Sequence, residues 1–216
     1  MYVAFDLDGT LVDPKEGIVS CIEYALDRLD VEGPDAAELA RHIGPPLHDT
    51  FRKLLGDGDA NRVAQAVTYY RERFAVSGIY ENNVYPGIQE ALDALRASGH
   101  TLFVMTSKPT NYARKILANC EMAGRFKQIY GSEMDGRRSD KRELLLHLMN
   151  MEHIAPSKLT VVGDRKHDVE AAKRQGARSV GVLWGYGSFE ELDAAGADLF
   201  CRTPSDLPAL LGPREA

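Results

Sequence analysis

The first thirteen residues constrain the rest of the chain more than any other stretch. Tyr2-Val3-Ala4-Phe5 is a short apolar, β-prone run that passes directly into Asp6-Leu7-Asp8-Gly9-Thr10-Leu11-Val12-Asp13. A run of this length without polar alternation predicts a strand buried on both faces, as in a parallel sheet. Asp6 and Asp8 then stand at its carboxyl end, where open α/β sheets bind their ligands. Gly9 supplies backbone freedom just past the strand and lets the chain fold back over that point. Two carboxylates so placed want a cation, a proton to share or a reaction to perform. The plainer alternative is a strand that ends in a polar turn.

Downstream, residues 15–85 read as helices with no convincing strand. Gly17 to Leu29 carries Ile18, Ile22, Ala25, Leu26 and Leu29 at helical spacing. Asp35 is placed to cap a short helix through Arg41, and His42-Ile43-Gly44-Pro45-Pro46 predicts a rigid turn before a helix from Leu47 to Leu55. Gly56-Asp57-Gly58-Asp59 is a second break, followed by the longest helix, Ala60 to Phe74. After Pro86-Gly87 the pattern alternates between helix and strand, the signature of a parallel sheet. Strands are expected at Thr101–Met105, Phe126–Tyr130, Leu159–Val162, Ser179–Leu183 and Asp198–Phe200. Helices are expected at Ile88–Ala97, Asn111–Asn119, Asp140–Met151, His167–Gln175 and near Ser205–Leu211. The predicted fold class is α/β, a Rossmann-like doubly wound parallel sheet with an inserted α-helical cap. Residues 1–14 and 86–216 would form the core and 15–85 the cap.

Further polar groups fall where strands end or helices begin. Thr106 closes a strand, and the backbone amides of Ser107 and Lys108 follow it at a loop leading to a helix, a reasonable phosphate cradle. Lys141 lies just inside a helix, where an ammonium opposes the helix dipole and a purely structural role is mildly disfavoured. Asp164 follows the strand ending at Gly163, and Asp168 lies one helical turn later. With Asp6 they make an oxygen-donor site suited to Mg²⁺. His167 offers a nitrogen for a transition metal, but one histidine among so many carboxylates reads as a loop or surface residue.

Asp6-Leu7-Asp8-Gly9-Thr10 resembles the first signature of the haloacid dehalogenase superfamily, whose members are mostly phosphatases. Thr106, Lys141 and Gly163-Asp164 with Asp168 resemble its second, third and fourth signatures, in order and over nearly the whole chain. The resemblance implies that Asp6 is a nucleophile forming an aspartyl-phosphate and that Asp8 is the acid and then the base. It implies that Thr106 holds the phosphoryl group and that Lys141 offsets charge on Asp6 and the phosphoryl oxygens. Asp164 would be a direct Mg²⁺ ligand, Asp168 a ligand or a support for one, and Asp8 would contribute its backbone carbonyl. It also implies a mobile helical cap at residues 15–85. Family members that cleave carbon–halogen bonds lack the second Asp, so Asp8 favours phosphoryl transfer.

The leaving group is harder to read. In the cap, Gly44 permits a close backbone approach to a ligand and Arg41 is placed to face an anion; a helix connector with an exposed arginine is the competing reading. The chain is similar to the branch with phosphoglycolate phosphatases and 5′-nucleotidase-like enzymes. Ile43-Gly44-Pro45-Pro46-Leu47 and Gly181-Val182-Leu183-Trp184-Gly185-Tyr186-Gly187 favour the 5′-nucleotidase-like side. Trp184 and Tyr186 are candidates to stack on a base, with packing as the alternative. The expected substrate is therefore a small phosphorylated metabolite, a nucleoside 5′-monophosphate ahead of phosphoglycolate. Gly9, Ser107, Lys108 and Arg41 are the candidate substrate-binding residues. A sugar phosphomutase of the same superfamily would share every core residue. A phosphoacceptor signalling module would need neither Asp8 as acid nor so large a helical insertion.

A formal net charge of −6 argues against non-specific nucleic-acid binding. Cys21, Cys120 and Cys201 are odd in number and scattered, as free thiols in a reducing compartment would be. No leader precedes the first strand and no apolar run reaches membrane-spanning length, so the expectation is a cytoplasmic protein with no membrane partner. Oligomeric state is left open by the sequence.

Overall fold

In a computed structural model of the chain, Tyr2–Phe5 forms β1, the central strand on which the larger unit is built. The structure describes residues 1–56 and 59–213. Asp57 and Gly58 of the expected Gly56–Asp59 break lie outside the described residues. Two compact units are present, one of Met1–Asp13 with Val84–Ala216 and one of Pro14–Asn83.

The larger unit contains β2 (Val12–Asp13) after β1 and resumes at the end of β3 (Asn83–Val84). The helices of the smaller unit are α1 (Lys15–Asp27), α2 (Ala36–Leu39), α3 (Leu47–Leu54) and α4 (Ala60–Arg73). The larger unit continues with α5 (Ile88–Ala97), β4 (Thr101–Pro109), α6 (Thr110–Asn119) and β5 (Gln128–Ser132). Then come α7 (Lys141–Glu152), β6 (Leu159–Gly163), α8 (Lys166–Gln175) and β7 (Arg178–Val182). It closes with α9 (Phe189–Ala195), β8 (Leu199–Cys201) and α10 (Leu207–Leu211).

The sheet has six strands in the order β5-β4-β1-β6-β7-β8, and every pair is parallel. The chain builds outward from β1 to β4 and β5, then returns to place β6 on the other side of β1. That reversal makes the carboxyl ends around β1 a topological switch point, the usual ligand site of such sheets. Side chains alternate across the strands. Ala4, Phe103, Met105 and Val161 pack with Leu144, Leu145 and Leu148 of α7 and Ala171 and Ala172 of α8. Val3, Phe5, Leu102 and Val104, the intervening residues, are buried too, and α5 and α6 pack against β4. Burial of both faces explains why these strands read as apolar runs.

Four expectations need correction. Residues 15–85 are not free of strand, contrary to expectation, because Asn83–Val84 forms β3. The strand expected at Thr101–Met105 runs on to Pro109, with a register irregularity against β5 between Thr106 and Pro109. Thr106, Ser107 and Lys108 therefore belong to extended strand. The strand expected at Phe126–Tyr130 is displaced to Gln128–Ser132, because Ala123–Arg125 forms a 3₁₀ turn that delays it. Helix α9 went unread in the sequence, although Ser188 caps it by accepting from Glu191 N at 3.1 Å. Seven residues are too few for a periodic stripe to show.

In the smaller unit, Asp35 caps α2 as expected, accepting from Glu38 N at 2.8 Å. A π turn at Phe74–Gly78 follows α4. Tyr70 and Phe74 stack with ring centroids 5.6 Å apart, and Ile22, Leu26, Leu39, Phe51 and Val67 are buried. Arg73 grips Glu81 with two hydrogen bonds of 2.8 and 3.0 Å.

Candidate active site

The switch point collects acidic groups from three neighbouring segments. Asp6 follows β1 and still donates its backbone N–H to Val162 O at 2.9 Å, so its place is set by the register of β1 on β6. Asp164 follows β6, and Asp168 lies in the first turn of α8. Carboxylate oxygens of Asp6, Asp164 and Asp168 lie within 4.8 Å of one another, and all three residues are buried. Lys141, the first residue of α7, reaches them with its ammonium 2.6 Å from Asp6 Oδ2 and 2.6 Å from Asp168 Oδ1. The start of α7 is set by Asp140, whose side chain accepts from Arg142 N at 2.8 Å.

Close packing around Asp164 depends on glycines. Gly9 has φ +81°, and a Cβ there would lie 2.2 Å from Asp164 Oδ2. A Cβ on Gly185 would lie 2.3 Å from Gly9 O and 2.6 Å from Asp164 Oδ2. Tyr186 N donates to Asp164 Oδ2 at 2.8 Å, and Thr10 Oγ1 donates to Oδ1 at 3.3 Å. Asp168 is also engaged at both oxygens, Oδ1 by Lys141 at 2.6 Å and Oδ2 by the backbone N–H of Arg165 at 3.3 Å.

Electrostatics show a surplus of negative charge. Burial, with the Asp6 charge adding to it, pushes the Asp164 carboxyl up to about 6. Asp168 is likewise pushed up, chiefly by burial and against the pull of Lys141. Burial raises Asp8 as well, opposed by Lys108, whose ammonium sits 2.8 Å from Asp8 Oδ1. Burial works against the Lys141 ammonium, but the Asp168 and Asp6 carboxylates outweigh it and keep the group charged. Four carboxylates thus face two ammoniums, which leaves two negative charges uncompensated when all are ionised. Asp6 Oδ1 is buried without a hydrogen-bond partner. An orphaned carboxylate oxygen in an all-oxygen cluster two charges short of neutrality fits a divalent metal ion, a hard one such as Mg²⁺ included.

Thr106 is buried, and its Oγ1 accepts from Lys108 N at 3.3 Å. Ser107 Oγ donates to Ser139 O at 2.9 Å, tying β4 to the loop before α7. Arg41 belongs to the smaller unit, exposed on a 3₁₀ turn at Ala40–His42. Trp184, expected as a stacking candidate, spends its indole N–H on Thr10 O at 3.0 Å. The Tyr186 hydroxyl donates to Asp13. Both rings therefore serve the loop that surrounds Asp164, which accords with the packing alternative. The Lys108 side chain on Asp8 and the amide of Tyr186 on Asp164 were missed from sequence. For the second, the spacing Gly185-Tyr186-Gly187 was an available signal of close backbone approach.

Residues 3–182 of the chain match the family of haloacid dehalogenase-like hydrolases. The chain belongs to the haloacid dehalogenase-like hydrolases. It is 47% identical over 208 residues to a 5′-nucleotidase of Pseudomonas aeruginosa, covering 96% of this chain and 92% of that one. It is 38% identical over 192 residues to the tyrosine-protein kinase PtkA of Mycobacterium tuberculosis, covering 88% of this chain and 65% of that one. A predicted phosphatase from Clostridium acetobutylicum superposes with a TM-score of 0.92 at 37% identity, covering 97% of each chain. Like that phosphatase, this hydrolase has the parallel sheet and the helical insertion. Among its described residues no helix is long and apolar enough to cross a membrane.

Proposed function

We propose that the chain is a Mg²⁺-dependent phosphomonoesterase that works through an aspartyl-phosphate and acts on nucleoside 5′-monophosphates. The observation that carries the chemistry is the buried cluster of Asp6, Asp164 and Asp168 with Lys141 bridging two of its members at 2.6 Å. The nucleotide preference is supported by the 47% identity to a 5′-nucleotidase over nearly the full length of both chains.

In this reading Asp6, Asp164 and the backbone carbonyl of Asp8 would hold Mg²⁺. Asp168, engaged by Lys141 and the Arg165 amide, fixes the ammonium. The ion, when bound, neutralises phosphoryl oxygens and orients them for in-line displacement. Thr106 Oγ1, held by the Lys108 N–H at 3.3 Å, and the amide of Ser107 receive phosphoryl oxygens, and Gly9 keeps the approach open. Lys141 neutralises charge on Asp6 and on the transferring group. The Asp6 carboxylate attacks phosphorus, the ester P–O bond breaks, and Asp8 gives its proton to the leaving oxygen. Asp8 then takes a proton from water as that water attacks phosphorus, releasing inorganic phosphate and restoring Asp6.

The deciding experiment measures inorganic phosphate released from nucleoside 5′-monophosphates, phosphoglycolate and small sugar phosphates, with Mg²⁺ and with chelator. Mg²⁺-dependent release favouring nucleotides is expected. Preference for phosphoglycolate would overturn the substrate assignment alone. An isomerised sugar phosphate without release, or phosphate passed only to a protein acceptor, would overturn the hydrolase reading.

A further inference from the structure

The scheme above leaves the side chain of Lys108 without a task. Its ammonium lies 2.8 Å from Asp8 Oδ1, and the two side chains are only 8% and 14% exposed. A lysine folded into a site at this depth gives up solvation and rotamer freedom, which a loosely held surface lysine keeps. The backbone beneath it is fixed. Ser132 Oγ donates to Ser107 O at 2.8 Å, and Lys108 N donates to Thr106 Oγ1 at 3.3 Å. On β5 a Cβ at Gly131 would lie 2.5 Å from Lys108 O, so only glycine lets the two strands meet so closely there. The register irregularity between Thr106 and Pro109 falls on this same stretch, and such irregularities re-aim side chains.

We propose that Lys108 is a positioning residue for Asp8. Its ammonium, anchored on Oδ1, sets the carboxyl rotation so that Oδ2 is the oxygen turned to the leaving group. The inference rests on the reading of Asp8 as the acid. In the step concerned, a bond forms between Asp6 and phosphorus and the ester P–O bond breaks. The proton on Asp8 Oδ2 passes to the departing alkoxide, and the carboxylate left behind is held by the ammonium of Lys108. Lys108 acts through Asp8, whereas Lys141 and Thr106 act on the phosphoryl group itself.

The distinction is measurable because some leaving groups need no proton. The alkoxide of an alkyl phosphate must be protonated as it departs, and the para-nitrophenolate of an aryl ester need not be. The value of kcat/KM reports steps through transfer to Asp6, so the later work of Asp8 as base does not enter. The best alkyl monoester of the panel and para-nitrophenyl phosphate are compared for wild type, Lys108→Met, Lys108→Arg and Asp8→Asn. General acids contribute roughly 10²–10⁴-fold, so Lys108→Met is expected to lose at least about tenfold more on the alkyl than on the aryl ester. Lys108→Arg should regain part of that difference. Equal losses on both esters would overturn the proposal, because a phosphate-binding or purely structural lysine affects both alike. If Asp8→Asn itself lost both equally, the acid role of Asp8 would fail and the proposal with it. Should Lys108→Met not fold, as judged by near-ultraviolet circular dichroism, Lys108→Gln gives the same comparison.

Discussion

The backbone N–H of Tyr186 donates to Asp164 Oδ2 at 2.8 Å, across 22 residues and from the loop after the neighbouring strand. The hydroxyl of the same residue donates to Asp13. One residue thus joins an acidic group of the site to the segment that leaves the larger unit. The orientation of Asp164 is therefore a property of two loops rather than one.

Gly185→Ala tests that relationship. The added methyl would meet Gly9 O at 2.3 Å and Asp164 Oδ2 at 2.6 Å, and the first of these is backbone that cannot swing aside. Groups that orient metal ligands typically matter 10–100-fold for affinity, so the Mg²⁺ concentration for half-maximal rate should rise about tenfold or more. A metal titration of initial rate reads this, and an unchanged midpoint would count against the close-packing account.

Asp6→Asn should abolish turnover with the fold intact, because an amide is too weak a nucleophile to open the ester. Asp8→Asn should slow it by roughly 10²–10⁴-fold, the usual worth of a general acid. Full activity in a folded Asp6→Asn protein would sink the nucleophile assignment.

Lys141→Met removes the ammonium that lies 2.6 Å from both Asp6 and Asp168. Breaking a buried ion pair on one side costs about 3–5 kcal/mol, less whatever the stranded carboxylates recover by taking up protons. Thermal unfolding in chelator should show a clearly lower Tm than wild type, with part of the loss restored by Mg²⁺. An unaltered Tm would mean that the pairs contribute nothing to the fold.

Trp184→Phe separates packing from recognition. The indole N–H is committed to Thr10 O at 3.0 Å, so the variant should lose stability and leave the ranking of nucleobases as it was. A changed order of kcat/KM among the nucleoside 5′-monophosphates would restore the stacking reading.

Asp140→Ala should carry a pH signature. The hydrogen bonds from Arg142 hold the Asp140 carboxyl at about 2, below its ordinary range. A depressed folded-state pKa stabilises above the unfolded value, near 4, and that stabilisation is lost as pH falls toward about 2. The Tm gap between wild type and Asp140→Ala should be full at pH 6 and narrower at pH 3. A gap independent of pH would assign the effect to the helix cap alone, without the charge.

Much of the sheet was legible because its elements announce themselves locally. Tyr2–Phe5 and Leu159–Gly163 are apolar runs ending in polar turns, and Ile88–Ala97 carries a clear helical stripe. Helix α9 was not, because seven residues span barely two turns. The true end of β4 was not, because Thr106-Ser107-Lys108 is polar and its extension depends on pairing with β5.

By itself the sequence determined that a parallel α/β sheet would form and that acidic residues would end its strands, since length and burial pattern are properties of neighbours in the chain. Only the tertiary structure decided which charges meet. Lys108 and Asp8 are 100 residues apart, and Lys141 and Asp168 are 27 apart. Nothing in their local surroundings specifies a partner. They become neighbours when the strand order β4-β1-β6 brings three carboxyl ends side by side, and burial there gives each ammonium a carboxylate to satisfy.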